Sequence, residues 1–291
     1  MAGNISILKW LKERFDSRPL GCGNEFNEVC SFAALAGKLE VIKFAHKNGW
    51  KWDAKTCSEA AKEGHLEIII WARRNGCPWD EKTCTMAAMF GHLRVLQHVR
   101  LHSFSQLEDI RERNASKSHI FQLPMPKEEG CPWSKDTTVA AVMGGYLDIL
   151  QWLILHHCPY DGIYCCAVSA EKGHLHVLQW LHSQNIAWSE STCTAAAKAG
   201  HLSILQWARS QECPWDAKVI TQAAKMGHFQ VVQWARNNQC PWTSEATLAA
   251  AMGDHIQILQ WLVQQGCPWH SGVLYVRNPL IVRWARANGC Q

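Results

Sequence analysis

The sequence predicts an all-α fold: a solenoid of stacked helix–turn–helix repeats. Three observations carry this. First, a 27-residue period runs along the chain, so that GHLEIIIWARRNGCPWD (64–80) returns as GHLHVLQWLHSQNIAWS, GHLSILQWARSQECPWD, GHFQVVQWARNNQCPWT and GDHIQILQWLVQQGCPWH. Counted on the aromatic of this pattern, the phase positions are Trp10, Phe44, Trp71, His98, Met125, Trp152, Trp180, Trp207, Trp234, Trp261 and Trp284. A fixed period of this size marks units that cannot bury their own apolar faces and must stack to do so. Second, apolar residues inside each period follow helical spacing. Third, glycine, proline and capping residues punctuate the period at fixed places.

One repeat can be built in order. In HLSILQWARS, Leu202, Ile204, Leu205, Trp207 and Ala208 share a broad apolar face, and Ser203, Gln206, Arg209 and Ser210 take the other. That is an amphipathic helix. Gly76, Gly130 and Gly266 are expected to end such helices in the left-handed conformation, and the proline of Cys-Pro-Trp cannot continue them. Asp53, Asp80, Ser134, Asp161, Ser189, Asp216 and Thr243 follow as N-caps of the next helix. That helix carries paired alanines (Ala60-Ala61, Ala87-Ala88, Ala196-Ala197, Ala223-Ala224), which permit close helix approach. Gly64, Gly91, Gly200 and Gly227 close it. We call the alanine-rich helix the first of each repeat and the tryptophan-bearing helix the second.

Bulk composition agrees with a folded, soluble chain, at 47% hydrophobic and 19% charged residues. A net charge of +4 is too mild to imply nucleic acid without a localised patch. No apolar run is long enough to cross a bilayer, and the N-terminal MAGNISILKWLKERF lacks a signal-peptide core. Ala2 stands where myristoylation requires glycine. A soluble, cytoplasmic protein is expected. The 14 cysteines are mostly bound to the repeat. Equivalent positions in stacked helices lie roughly 8–10 Å apart, beyond the ~7 Å Cα limit for a bridge. A ladder of in-register disulfides is therefore disfavoured, and reduced thiols acting as small buried hydrophobes are expected.

The pattern of an Ala-Ala pair, Gly-His-Leu, and a glycine twelve residues later (Gly64 to Gly76) resembles the ankyrin repeat core. The interval Gly76 to Ala87 is shorter than in ankyrin repeats, and Cys-Pro-Trp-Asp stands where the β-hairpin finger would be. Thr83 to Thr85 and Thr192 to Thr194 read Thr-Cys-Thr in place of the Thr-Pro-Leu-His signature. The resemblance is to short Cys-Pro-Trp arrays like those of giant DNA viruses, amoebae, oomycetes and algae. It implies an ankyrin-like helical solenoid lacking most of the β-hairpin fingers, with first helices lining a concave partner surface.

The array divides into an N-terminal capping half-repeat and linker (1–27), repeats (28–102), a degenerate repeat or loop (103–130), repeats (131–270) and a C-terminal capping repeat (271–291). The degenerate unit keeps phase, because His98 to Trp152 is two periods. Pro124 and Pro126 fall inside its expected second helix, which should be short or absent.

Function is read from positions that vary between otherwise similar repeats. On the first helices these are Ser58, Glu59, Lys62, Met86, Met89, Phe90, Met143, Lys198, Gln222, Lys225 and Met226, the candidate partner-binding residues. The methionines and Phe90 would form an adaptable apolar patch. The expected activity is non-catalytic binding of a partner protein by a monomer, with no cofactor and no metal. Histidines of the Gly-His pairs (His65, His92, His174, His201, His228) recur once per repeat, whereas an active site needs different groups converging on one point. Two alternatives stand beside this. The turn aromatics (Trp52, Trp79, Trp133, Tyr160, Trp188, Trp215, Trp242, Trp269), with Arg73, Arg100, Arg209, Arg236 and Arg286 nearby, could stack on single-stranded nucleic acid. Acids such as Glu59, Glu63 and Glu81 interrupt that stripe. The cluster His156, His157, Cys158, Cys165 and Cys166 has zinc ligand types without a CxxC pair.

Overall fold

A computed structural model describes residues 28–101 and 130–290. The expected N-terminal half-repeat (1–27) and nearly all of the 103–130 segment lie outside them. The described residues form 17 α-helices and one 3-10 helix, and no strand occurs among them. The chain forms two compact units, Met1–Tyr160 and Asp161–Gln291.

In the first unit the helices pair as α1 (Val29–Leu35) with α2 (Leu39–Lys47), α3 (Ala54–Lys62) with α4 (Leu66–Arg74), α5 (Glu81–Met89) with α6 (Leu93–Leu101), and α7 (Lys135–Gly144) with α8 (Leu147–Leu155). The second unit continues with α9 (Gly162–Lys172) and α10 (Leu175–Ser183), α11 (Glu190–Ala199) and α12 (Leu202–Ser210), α13 (Lys218–Met226) and α14 (Phe229–Asn237), and α15 (Glu245–Met252) and α16 (Ile256–Gln264). A 3-10 helix (Ser271–Tyr275) packs with α17 (Pro279–Ala287).

Within each unit, successive first helices stack directly on one another: α1 on α3, α3 on α5, α5 on α7, and α9 on α11, α11 on α13, α13 on α15. The alanine pairs make this possible. Ala60, Ala61, Ala87, Ala88, Ala196, Ala197, Ala223 and Ala224 are completely buried, so no side chain holds the helices apart. Second helices bury Ile68, Ile69 and Ala72 in α4, Leu178 and Leu181 in α10, and Ile204, Leu205 and Ala208 in α12. Each Leu or Ile removed from water contributes about 1.5–3 kcal/mol.

The expected punctuation is mostly present. Asp53, Asp80, Ser134, Asp161 and Ser189 are N-caps whose side chains accept from backbone N–H groups one turn ahead. Asp216 still accepts from Lys218 N at 3.0 Å, although α13 begins one residue later than its analogues. Thr243 does not cap; α15 starts after Ser244, with no side-chain cap bond. Gly76 and Gly266 take positive φ as expected, and Gly130 does not. A Cβ at Gly130 would meet the Arg100 carbonyl oxygen at 2.5 Å, so close approach to α6, not handedness, calls for glycine there.

The residues flanking the 103–130 segment occupy ordinary repeat positions. Cys131 N donates to Val99 O at 2.8 Å, as Cys77 N donates to Ala72 O and Cys213 N to Ala208 O, each at 3.0 Å. Arg100 reaches the Cys131 carbonyl across 31 positions, where Arg73 reaches that of Cys77 across 4. The extra chain is thus one period long, and α5 and α7 are direct neighbours inside the first unit. Ser134 Oγ donates to Glu81, and Thr85 and Thr137 hydroxyls meet at 3.4 Å across that interface.

All 13 described cysteines are free and buried. Burial pushes the thiols of Cys166 and Cys267 up to about 12 and about 11, from 9.0. Burial, then the nearby Asp53, raises Cys30 to about 11; burial, then Asp216, is foremost in raising Cys240 to about 12. A raised folded value means the unfolded chain ionises first. Stability should therefore be intact below pH ~9 and fall as pH rises towards 12, by up to about 1.4 kcal/mol per pH unit for each thiol. Urea midpoints at neutral pH and at increasing alkaline pH check this; a midpoint that stays flat above pH ~9 contradicts it.

Candidate functional site

The first helices carry the candidate partner-binding residues, and the structure separates them into usable and unusable ones. In the first unit Ser58 is buried, and its hydroxyl donates to Lys55 O at 3.1 Å, so it is not offered to a partner. Glu59, Lys62, Met86, Met89 and Met143 are half-buried, and Phe90 is exposed. Lys62 Nζ lies 5.5 Å from the Phe90 ring centroid, a cation–π contact that joins α3 to the end of α5. In the second unit Lys198 is exposed but paired with Glu171 at 3.0 Å; Gln222 is half-buried, and Lys225 and Met226 are exposed.

The structure adds residues that sequence reasoning missed. Phe32 on α1 is 59% exposed, with Lys55 Nζ 5.9 Å from its ring and bonded to Glu28 at 3.3 Å. Ile163 and Tyr164 on α9 and Met252 on α15 are also exposed. The period could have found two of them: Phe32 shares the repeat position of Met86, and Met252 that of Met89 and Lys225.

The Gly-His histidines sit one residue before each second helix and make no cap bond through their side chains. Three of them reach back into the preceding repeat instead. His92 Nε2 bonds Lys62 O at 2.9 Å, His201 bonds Glu171 O at 3.2 Å, and His228 bonds Lys198 O at 3.0 Å. Each imidazole fills the space where a Cβ on the previous repeat's glycine would lie: His92 against Gly64, His201 against Gly173, His228 against Gly200. Gly-His is therefore an inter-repeat lock, with its halves on neighbouring repeats.

The turn tryptophans are half-buried, and their faces are occupied from within. The Arg73 and Arg100 guanidinium groups lie 4.0 Å from the Trp79 and Trp133 ring centroids, Arg209 lies 4.4 Å from Trp215, and Arg236 lies 3.9 Å from Trp242. His46 and His182 take the same place over Trp52 and Trp188, at 4.3 and 4.2 Å. Arg73, Arg100 and Arg209 also donate to the carbonyls of Cys77, Cys131 and Cys213. Arg73→Ala loses a stack and a charged hydrogen bond together, and should destabilise by about 2 kcal/mol in urea unfolding. Arg73→Lys should restore less than half of this, because an ammonium cannot lie flat on the indole.

Two members of the candidate zinc cluster have other engagements. His156 stacks on Trp152 and bonds its carbonyl at 2.9 Å, and the Cys158 thiol donates to Ser134 O at 3.4 Å. Among the described residues no three His, Cys, Asp or Glu side chains are placed to hold a metal ion. No helix among them is long and apolar enough to cross a membrane. No protein-family model matches the chain, and no curated protein matches it.

Proposed function

We propose that this chain is an ankyrin-type helical solenoid acting as a non-catalytic, cytoplasmic protein–protein interaction scaffold, a monomer that binds a partner protein on its first-helix, concave face. The observation that carries this reading is the run of exposed apolar side chains along first helices, Phe32, Ile163, Tyr164, Met226 and Met252, with Phe90 just past the end of α5. Large apolar groups left in water on one set of helices in a repeat array mark contact surfaces, and Phe90 and Met226 share a repeat position. Met226 and Met252 are also adaptable, able to repack against differently shaped partners.

Nucleic acid is the weaker alternative. A base needs an open aromatic face and free cations beside it, and here Trp79, Trp133, Trp215 and Trp242 are each covered by an arginine of the same chain. The histidines and cysteines are likewise spent on packing, which supports a protein without catalytic turnover.

The test is affinity capture from the native cell, with wild type set against Phe90→Ser/Met226→Ser. Both residues are exposed, so the variant should keep its melting temperature within about 2 °C. Mass spectrometry should find a protein retained by wild type and depleted at least about tenfold with the variant, corresponding to roughly 1.4 kcal/mol of lost contact. Equal retention by both removes the first-helix face as the binding surface.

A further inference from the structure

We propose that Cys57 and Cys77 form a dithiol site that closes to a disulfide on exchange with a low-molecular-weight disulfide, with Cys84–Cys131 and Cys193–Cys213 as its equivalents. The inference stands apart from the partner reading. The Cys57 and Cys77 sulfurs are 3.8 Å apart and both are completely buried. Bonding distance is about 2.05 Å, so closure needs a movement of under about 2 Å. That movement falls on a turn: Cys77 follows Gly76, at φ +83, and precedes the exposed Pro78. Cys57 lies on α3 and Cys77 just beyond α4, so the link stays within one repeat.

The same placement recurs twice. The Cys84 thiol is 3.7 Å from the Cys131 carbonyl oxygen, and the Cys193 thiol 3.9 Å from that of Cys213. In each pair the neighbouring thiol, and then burial, pushes one thiol up: Cys131 acts on Cys84 and Cys193 on Cys213. Elsewhere one partner differs. Thr138 donates to Cys158 Sγ at 3.4 Å, and Ile220 and Thr247 hold the first-helix place in the repeats of Cys240 and Cys267. The fold thus accepts threonine or isoleucine where Cys57 stands, and a thiol pair is an addition to packing.

The chemistry balances as ordinary exchange. The Cys77 thiolate attacks one sulfur of the small disulfide, forming a mixed disulfide and releasing one small thiolate. The Cys57 thiolate then attacks the Cys77 sulfur and displaces the second. Two protein thiols become one protein disulfide, the small disulfide takes up both electrons, and the two protein protons leave on the released small thiols. The hydrogen bond to Cys57 and then burial push the Cys77 thiol well up, so exchange proceeds through opening of the turn, which exposes the thiol. Closure ties α3 to the end of α4 and restricts the unfolded chain.

The experiment uses the full reduced chain, incubated in glutathione buffers stepped from excess thiol to excess glutathione disulfide, then alkylated and peptide-mapped without reduction. The expected result is three linked pairs, Cys57–Cys77, Cys84–Cys131 and Cys193–Cys213, with Cys158, Cys240 and Cys267 alkylated only after denaturation. The melting temperature should rise by several degrees, roughly what one or more short-loop links confer. Cys57→Thr, the residue already present at Thr138, should fold and lose the first link alone; the other two pairs report in the same sample. Persistence of all six thiols in excess glutathione disulfide overturns the proposal, as do scrambled links involving Cys158, Cys240 or Cys267.

Discussion

Gly200→Ala is expected to destabilise the second unit by about 3 kcal/mol, far more than a methyl group usually costs. Two effects combine. Gly200 has φ +78 at the end of α11, a conformation that costs an L-residue about 1–2 kcal/mol. The new Cβ would also lie 2.6 Å from His228 Nδ1, and that ring is tethered to Lys198 O at 3.0 Å. The imidazole must give up its bond or α11 must shift, adding about 1–2 kcal/mol. A double-mutant cycle separates the parts. In His228→Ala the obstacle is gone, so adding Gly200→Ala should cost only the backbone share, with a coupling of at least about 1 kcal/mol. Strict additivity in urea unfolding rules out the lock as described.

Ala196→Leu should cost about 3 kcal/mol or more, through overpacking. Every complete first helix carries alanine or serine at this position: Ala33, Ala60, Ala87, Ala141, Ser169, Ala196, Ala223 and Ala250. The next position is less strict, since Val142 stands there in α7. Ala196 is completely buried and α11 stacks on both α9 and α13. Three added carbons have no free volume to enter and must push first helices apart. Because array stability is a sum of repeat and neighbour terms, two interfaces weaken at once. The measured signs should be a lowered urea midpoint and lost amide protection across α9–α13. A midpoint within experimental error of wild type would show that the alanine pairs do not set helix spacing.

Much of the fold was legible because its signals are short-range. Ile204, Leu205 and Ala208 define the buried face of α12 by spacing alone, and Asp53 and Ser189 cap the helices they precede. Thr243 does not cap α15, whereas Asp216, before the equally late-starting α13, keeps its bond to Lys218 N, a difference that local pattern does not encode. The candidate site was legible only in part. Variation marks Met226 and Phe90, which are exposed, as readily as Ser58, which is buried and bonded to its own helix. Between Arg100 and Cys131 the chain is one period longer than between Arg73 and Cys77, so the periodicity looks continuous while α5 stacks directly on α7.

Residues within a helical turn of one another therefore settled where helices start, stop and turn apolar. Side chains from different repeats or different helices met only once the helices had stacked. His228 bonds Lys198 O across 30 positions, Cys57 meets Cys77 across 20, and Cys77 reaches Asp53 O across 24. The sequence names such residues but not their partners, because each contact depends on where two packed helices place their ends. A disulfide ladder between equivalent cysteines was disfavoured by helix spacing, yet packing brings non-equivalent thiols to 3.8 Å. The side chains that lock this array, and those it leaves in water, were chosen by the close approach of alanine-faced helices.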